Sequence, residues 1–152
     1  MAGKTEVREP YFRIDLPSGW TGGPTQVPTL WQYGSADMSE CLSVSIHVAT
    51  TPIPGDERAK MLDDFIATRI RAETDQAGSR DLQMSEPAKQ QQGMAWVASY
   101  NGFHPESQRR FSSFTIVNGT LIANFYYEAL DCSAESFEER RKNLLGSVGV
   151  AD

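Results

Sequence analysis

The chain has 152 residues, 14 of them Lys or Arg and 20 Asp or Glu, for a formal net charge of −6. That length fits one domain, which can build a core without disulfide or metal staples. The negative charge works against sequence-independent binding of nucleic acid, which relies on cations neutralising phosphates, and seven Phe, five Tyr and three Trp argue against disorder.

The first ten residues, MAGKTEVREP, are charged and polar and hold no apolar signal segment. Residues 1–10 are expected to form a flexible lead-in, and residues 11–150 a single domain. Phe12, Ile14 and Leu16 alternate with Arg13 and Asp15, the period of a half-buried strand, and Pro17-Ser18-Gly19 ends it. Trp20 follows, Gly22-Gly23-Pro24 reads as a loop, and a short strand is expected from Thr29 to Tyr33. From Cys41 to Ala49 the alternation is clean. Leu42, Val44, Ile46 and Val48 make an apolar face, and Ser43, Ser45 and His47 lie on the other.

Asp56 is the expected N-cap of a helix that runs to about Ala72 or Thr74, with Leu62, Ile66 and Ile70 on one stripe and Met61 and Phe65 widening it. A weak strand from Leu82 to Gln90 is interrupted by Pro87. Met94–Tyr100 is a short strand, and 101–106 a loop. Arg109–Val117 and Thr120–Glu128 form a hairpin around Asn118-Gly119, which favours a two-residue type I′ turn. That turn pairs Val117 with Thr120, Phe114 with Ala123 and Arg109 with Glu128. One hairpin face collects Phe114, Ile116, Leu121, Ala123, Phe125 and Tyr127 as the core side. The other collects Phe111, Ser113, Thr115, Ile122, Asn124 and Tyr126. A closing helix from Ser133 to Leu145 carries Phe137, Leu144 and Leu145 inward and stops near Gly146. The element order is β-β-β-α-β-β-β-β-α, an α+β fold in which two main helices pack on an antiparallel sheet.

Little in this pattern points to catalysis. Ser43 and Ser45 share a face with His47, but the two-residue spacing comes free with any strand and no glycine elbow surrounds either serine. His104 sits in Phe-His-Pro-Glu. A hydrolase would have to use His47 or His104. Adjacent carboxylates such as Asp63-Asp64 diverge by about 100° on a helix and read as solvated faces. Two Cys and two His are too few for a zinc site, so no metal, cofactor or catalytic residue is predicted. Cys41 and Cys132 read as reduced thiols of a cytoplasmic protein, with a disulfide as the alternative if the fold brings their Cα atoms within about 7 Å. The aromatic content points instead to binding. If the face of Ser43, Ser45, His47, Phe111, Ile122 and Tyr126 is uncovered, it makes an amphipathic docking platform, with Phe103 and His104 beside it. A helix or the loop 20–28 could equally cover it.

The run Tyr11-Phe12-Arg13-Ile14-Asp15-Leu16-Pro17-Ser18-Gly19-Trp20 resembles the opening F-x-I-x-L-P-x-G-W of the Mog1/PsbP-like superfamily, which includes bacterial DcrB-like domains. The order of the later elements agrees over almost the whole chain. The resemblance implies an α/β/α sandwich in which Phe12, Ile14, Leu16, Pro17, Gly19 and Trp20 are structural, and a non-enzymatic role in binding another protein. It implies a cytoplasmic bacterial accessory protein of type VI secretion, with no nucleic-acid partner and no membrane insertion, as monomer or homodimer. Two roles follow from it: an immunity protein that neutralises a cognate toxin, or an adaptor chaperone that holds apolar effector segments.

Overall fold

Alternating apolar residues dictate strands, and most of the chain is strand. The computed structural model describes residues 4–78 and 81–151. The strands are β1 (Lys4–Arg8), β2 (Phe12–Pro17), β3 (Thr21–Pro24), β4 (Leu30–Gly34), β5 (Glu40–Val48), β6 (Gln83–Met84), β7 (Ala88–Gln92), β8 (Ala95–His104), β9 (Arg109–Val117), β10 (Leu121–Leu130) and β11 (Gly149–Val150). Helix α1 (Arg58–Ala77) follows β5, and α2 (Ala134–Leu145) follows β10. An eight-stranded sheet has the order β3-β4-β5-β10-β9-β8-β6, with β7 also paired to β8. A small sheet has the order β1-β2-β11. Every pairing is antiparallel.

The large sheet is the middle layer. On one side, Phe12, Ile14 and Leu16 of β2 and Phe137, Leu144 and Leu145 of α2 bury against Leu42, Val44, Ile46, Ala123, Phe125 and Tyr127. Aromatic edges organise this core: Phe12 meets Trp31 at 5.3 Å and Phe125 at 5.9 Å, and Tyr127 stacks on Phe137 at 5.2 Å. On the other side, Leu62 and Ile66 of α1 close over Ala98, Tyr100, Phe111, Val117 and Tyr126. The two faces read from the hairpin sequence are therefore the two faces of the sheet, each with its own core.

Several local expectations differ. Residues 4–8 are not a free lead-in but form β1, paired along β2 from Lys4 opposite Pro17 to Arg8 opposite Arg13. Gly22-Gly23-Pro24 is part of edge strand β3 and not a loop. Pro87 divides the weak strand into β6 and β7, because it has no N–H to give to β8. Helix α1 begins after a tight turn at Gly55–Glu57, so Glu57 and not Asp56 holds the N-cap position. The segment expected as a loop at 101–106 instead continues β8 to His104, and Gly102 is the reason. A Cβ there would lie 2.1 Å from Phe111 Cζ, so the glycine gives the Phe111 ring its space inside a regular ladder.

The hairpin register also differs. Val117 pairs with Ile122, Phe114 with Phe125 and Arg109 with Leu130, two residues beyond the expectation. Asn118 is not a turn corner. It is buried, its Oδ1 accepts from the Thr120 and Leu121 N–H groups at 2.8 and 2.9 Å, and its Nδ2 donates to the Ala151 carbonyl at 2.8 Å. The corners are Gly119 and Thr120, and Gly119 is not in the left-handed region that a type I′ turn needs. The turn carbonyls accept from Ile53 and Ala49, which ties it to the segment leading into α1. A two-residue shift preserves which side chains share a face.

Candidate functional site

The residues proposed as one platform fall into three places. Phe111 and Tyr126 are buried, at 0% and 9% exposure, because α1 lies over β8 and β9. The face is therefore closed at that end. Phe103 points to the opposite side of the sheet, where the Arg110 guanidinium sits 4.0 Å over its ring. Ser43, Ser45 and His47 on β5 stand opposite Tyr126, Asn124 and Ile122 of β10; Asn124 is buried and Ile122 packs against the core under α1. His47 is exposed, and Ser43, Ser45 and Ile122 are half-buried.

Beneath the C-terminal half of α1, the structure gathers a polar cluster that sequence patterning did not single out. Glu73 projects from α1 into the face, 8% exposed. The Tyr126 hydroxyl donates to Glu73 Oε1 at 2.5 Å. Arg109 Nη1 donates to the Tyr126 oxygen at 2.9 Å and to Glu128 Oε2 at 2.5 Å, so the expected Arg109–Glu128 ion pair forms, diagonally across the ladder. His104 Nε2 lies 3.0 Å from Arg109 Nη2 and 3.5 Å from Glu73 Oε2. The His104 ring nitrogen thus sits between the Arg109 guanidinium and the Glu73 carboxylate. The His104 ring tilts over Phe111 at 5.6 Å, Phe111 stacks on Tyr126 at 5.5 Å, and Arg69 of α1 covers Tyr126 at 5.4 Å. Burial, with the bond to Glu73 second, pushes the Tyr126 phenol far above its ordinary range. This cluster binds α1 to β8, β9 and β10. Besides the Arg109–Glu128 pairing, the available signal for it was a helix residue, Glu73, seven positions after Ile66 on the buried stripe.

The serine–histidine arrangement does not assemble as a nucleophile and base. Residues two apart on one strand lie roughly 7 Å from each other, beyond proton transfer. What β5 offers is a surface. With Leu30 and Gln32 of β4, it makes an open strip of mixed polarity: Leu30 lies opposite Ser45, and Gln32 opposite Ser43. Phe65, half-buried, sits one turn of α1 before Arg69, whose guanidinium covers Tyr126, the residue opposite Ser43. The motif residues Phe12, Ile14 and Leu16 are core. Trp20, at the turn that follows, is half-buried with its ring 6.4 Å from that of Tyr127.

Neither a protein-family model nor a curated protein matches the chain. Solved structures do. The solution structure of cyanobacterial PsbP (CyanoP) from Synechocystis sp. PCC 6803 superposes with a TM-score of 0.67 at 17% identity, over 99% of this chain and 94% of that one. LpqN, involved in cell envelope biogenesis of Mycobacterium tuberculosis, gives 0.57 at 15% identity over 99% and 92%. A protein from Bacteroides thetaiotaomicron gives 0.51 at 13% identity, with all of this chain matching half of that one. Likeness at such identities is one of fold, and the chain has the Mog1/PsbP-like α+β fold.

Proposed function

We propose that the chain is a non-enzymatic protein-binding domain that docks its partner on the open strip of β4 and β5 beside α1. The observation that carries this reading is the partial cover. Helix α1 packs on β8 and β9 and buries Phe111 and Tyr126, while Gln32 and His47 stay exposed and Leu30, Ser43 and Ser45 half-exposed. Such a strip, flanked by Phe65 and Arg69, offers apolar and hydrogen-bonding contacts to a protein surface. The partner we favour is a toxin with a basic site, and the role that of an immunity protein acting in the cytoplasm. A net charge of −6 supports a cationic partner, by complementarity and by faster encounter. An adaptor for apolar segments would need an aliphatic groove, and Gln32, Ser43, Ser45 and His47 supply a polar one.

Co-expression with each neighbouring gene product that proves toxic to the host tests the proposal. The chain should restore growth, and the double change Ser45→Arg with His47→Arg should abolish both rescue and complex formation without lowering Tm. Rescue that survives the double change overturns the docking surface. Absence of rescue together with stable binding to an effector's apolar helices establishes the adaptor role in its place. Loss of a hydrolytic activity in His47→Ala or His104→Ala would overturn the non-enzymatic reading.

A further inference from the structure

A pocket of about 350 Å3 opens where the small sheet, the start of β5 and α2 meet. Its existence follows from strand lengths. β11 pairs with β2 only at Phe12 and Arg13, so the β2 edge from Asp15 onward lacks a neighbouring strand. The segment after α2 takes its place there, and the Asp15 N–H donates to Ser147 Oγ at 2.9 Å. Trp20, Tyr127 and Leu144 supply the apolar wall.

Two cations and two anions share the rim: Lys4 and Arg140, and Asp15 and Glu40. Glu40 accepts from the Tyr127 hydroxyl at 2.6 Å and lies 3.6 Å from Arg140 Nη1, which fixes both beside the pocket. Among the described residues, no ion pair or side-chain hydrogen bond engages the Lys4 ammonium or the Asp15 carboxylate, and Asp15 is half-buried. A purely anionic ligand would meet Asp15 and Glu40, and a purely cationic one Lys4 and Arg140. An overall neutral ligand carrying both charges satisfies all four. The volume, at the small end of the roughly 300–1,000 Å3 typical of ligand sites, admits a molecule of amino-acid size.

We infer that this pocket binds a small zwitterion with an apolar body, of the class of a free α-amino acid with a large aliphatic or aromatic side chain. The ammonium is recognised by Asp15 and Glu40, the carboxylate by Arg140 and Lys4, and the side chain by Trp20 and Leu144. The site is independent of the β4–β5 strip.

Calorimetric titration of the full chain tests this with L-leucine and L-phenylalanine, beside 4-methylpentanoate, which lacks the ammonium, and 3-methylbutylamine, which lacks the carboxylate. One-site, saturable binding of at least one amino acid is expected, with each single-charge analogue at least about tenfold weaker. Asp15→Asn should weaken the amino acid by about tenfold and strengthen 4-methylpentanoate, and Arg140→Gln should weaken the amino acid similarly and strengthen the amine, each by removing a like charge from the rim. The Trp20 indole N–H resonance should shift on titration while those of Trp31 and Trp96 stay in place. Circular dichroism confirms that both variants fold. No saturable binding of either amino acid up to ~10 mM, analogues that bind as tightly, or a shift confined to Trp31 or Trp96 would each overturn the assignment.

Discussion

At Gly102 the backbone leaves room for another residue's ring, and one methyl group would remove it. Gly102→Ala drives a Cβ into the Phe111 ring, which is itself fully buried. Such overpacking costs about 1–3 kcal/mol, measured as a lowered urea midpoint at unchanged m-value. The tyrosines give a second test. Burial is the leading cause that raises four of the five phenols, Tyr33, Tyr100, Tyr126 and Tyr127, with Tyr33 pushed up to about 12 and Glu9 adding to its shift. A raised folded pKa means that the folded chain holds the proton more tightly than the unfolded one. The stability this gives is therefore complete below the ordinary phenol value of 10.0, and for Tyr33 it is lost as pH rises toward about 12. Phenolate absorbance should accordingly stay low through pH 10 and rise together with alkaline unfolding. Asp37 has the opposite sign. The Ser39 N–H, with the Ser39 and Ser35 hydroxyls, lowers its carboxyl from 3.8 to about 2, so its hold on the β4–β5 turn is present above the ordinary value and lost as pH falls through about 2.

Elements are joined by a few polar contacts whose ranking can be measured. The buried cluster ties α1 to the sheet through Glu73, Tyr126 and Arg109. Glu73→Ala removes one charged acceptor and leaves Arg109 with Glu128, at a cost of about 2–3 kcal/mol. Arg109→Ala strands two carboxylates beside each other and costs more, about 3–5 kcal/mol, with faster amide exchange in residues 70–77. If the two variants prove equally stable, the cluster is not what holds the helix. At the other helix, the Ser133 side chain accepts from the Ser136 N–H, so Ser133→Ala should cost about 1 kcal/mol in thermal unfolding. The start of that helix at Ser133 was legible in the sequence, because an amphipathic run opens there. The Asn118 turn was not. Its geometry is set by bonds to Ala151, Ile53 and Ala49, residues far from it in the chain.

The whole molecule is three layers with two separate cores, and its two cysteines are free thiols, both half-buried. No covalent link joins the layers, so a reducing agent should leave Tm unchanged. A drop in Tm on reduction would show a bridge. The layers also fix which parts of the sheet stay uncovered. One helix cannot span eight strands, so α1 covers the β8–β9 side and leaves β4 and β5 open on that face.

Periodicity by itself determined the strands around Phe12–Leu16, Leu42–Val48 and the 109–128 hairpin, both helices, and the division of hairpin side chains between two faces. These depend only on which residues repeat every two or every three to four positions, and burial selects that repeat wherever the chain lies. The tertiary structure alone decided the hairpin register, the pairing of β1 with β2, the extension of β8 through Gly102, and the closure of α1 over Phe111 and Tyr126. Each of those rests on contacts between residues distant in sequence, where a ring, a carboxylate or a buried amide meets its partner only after the layers have packed.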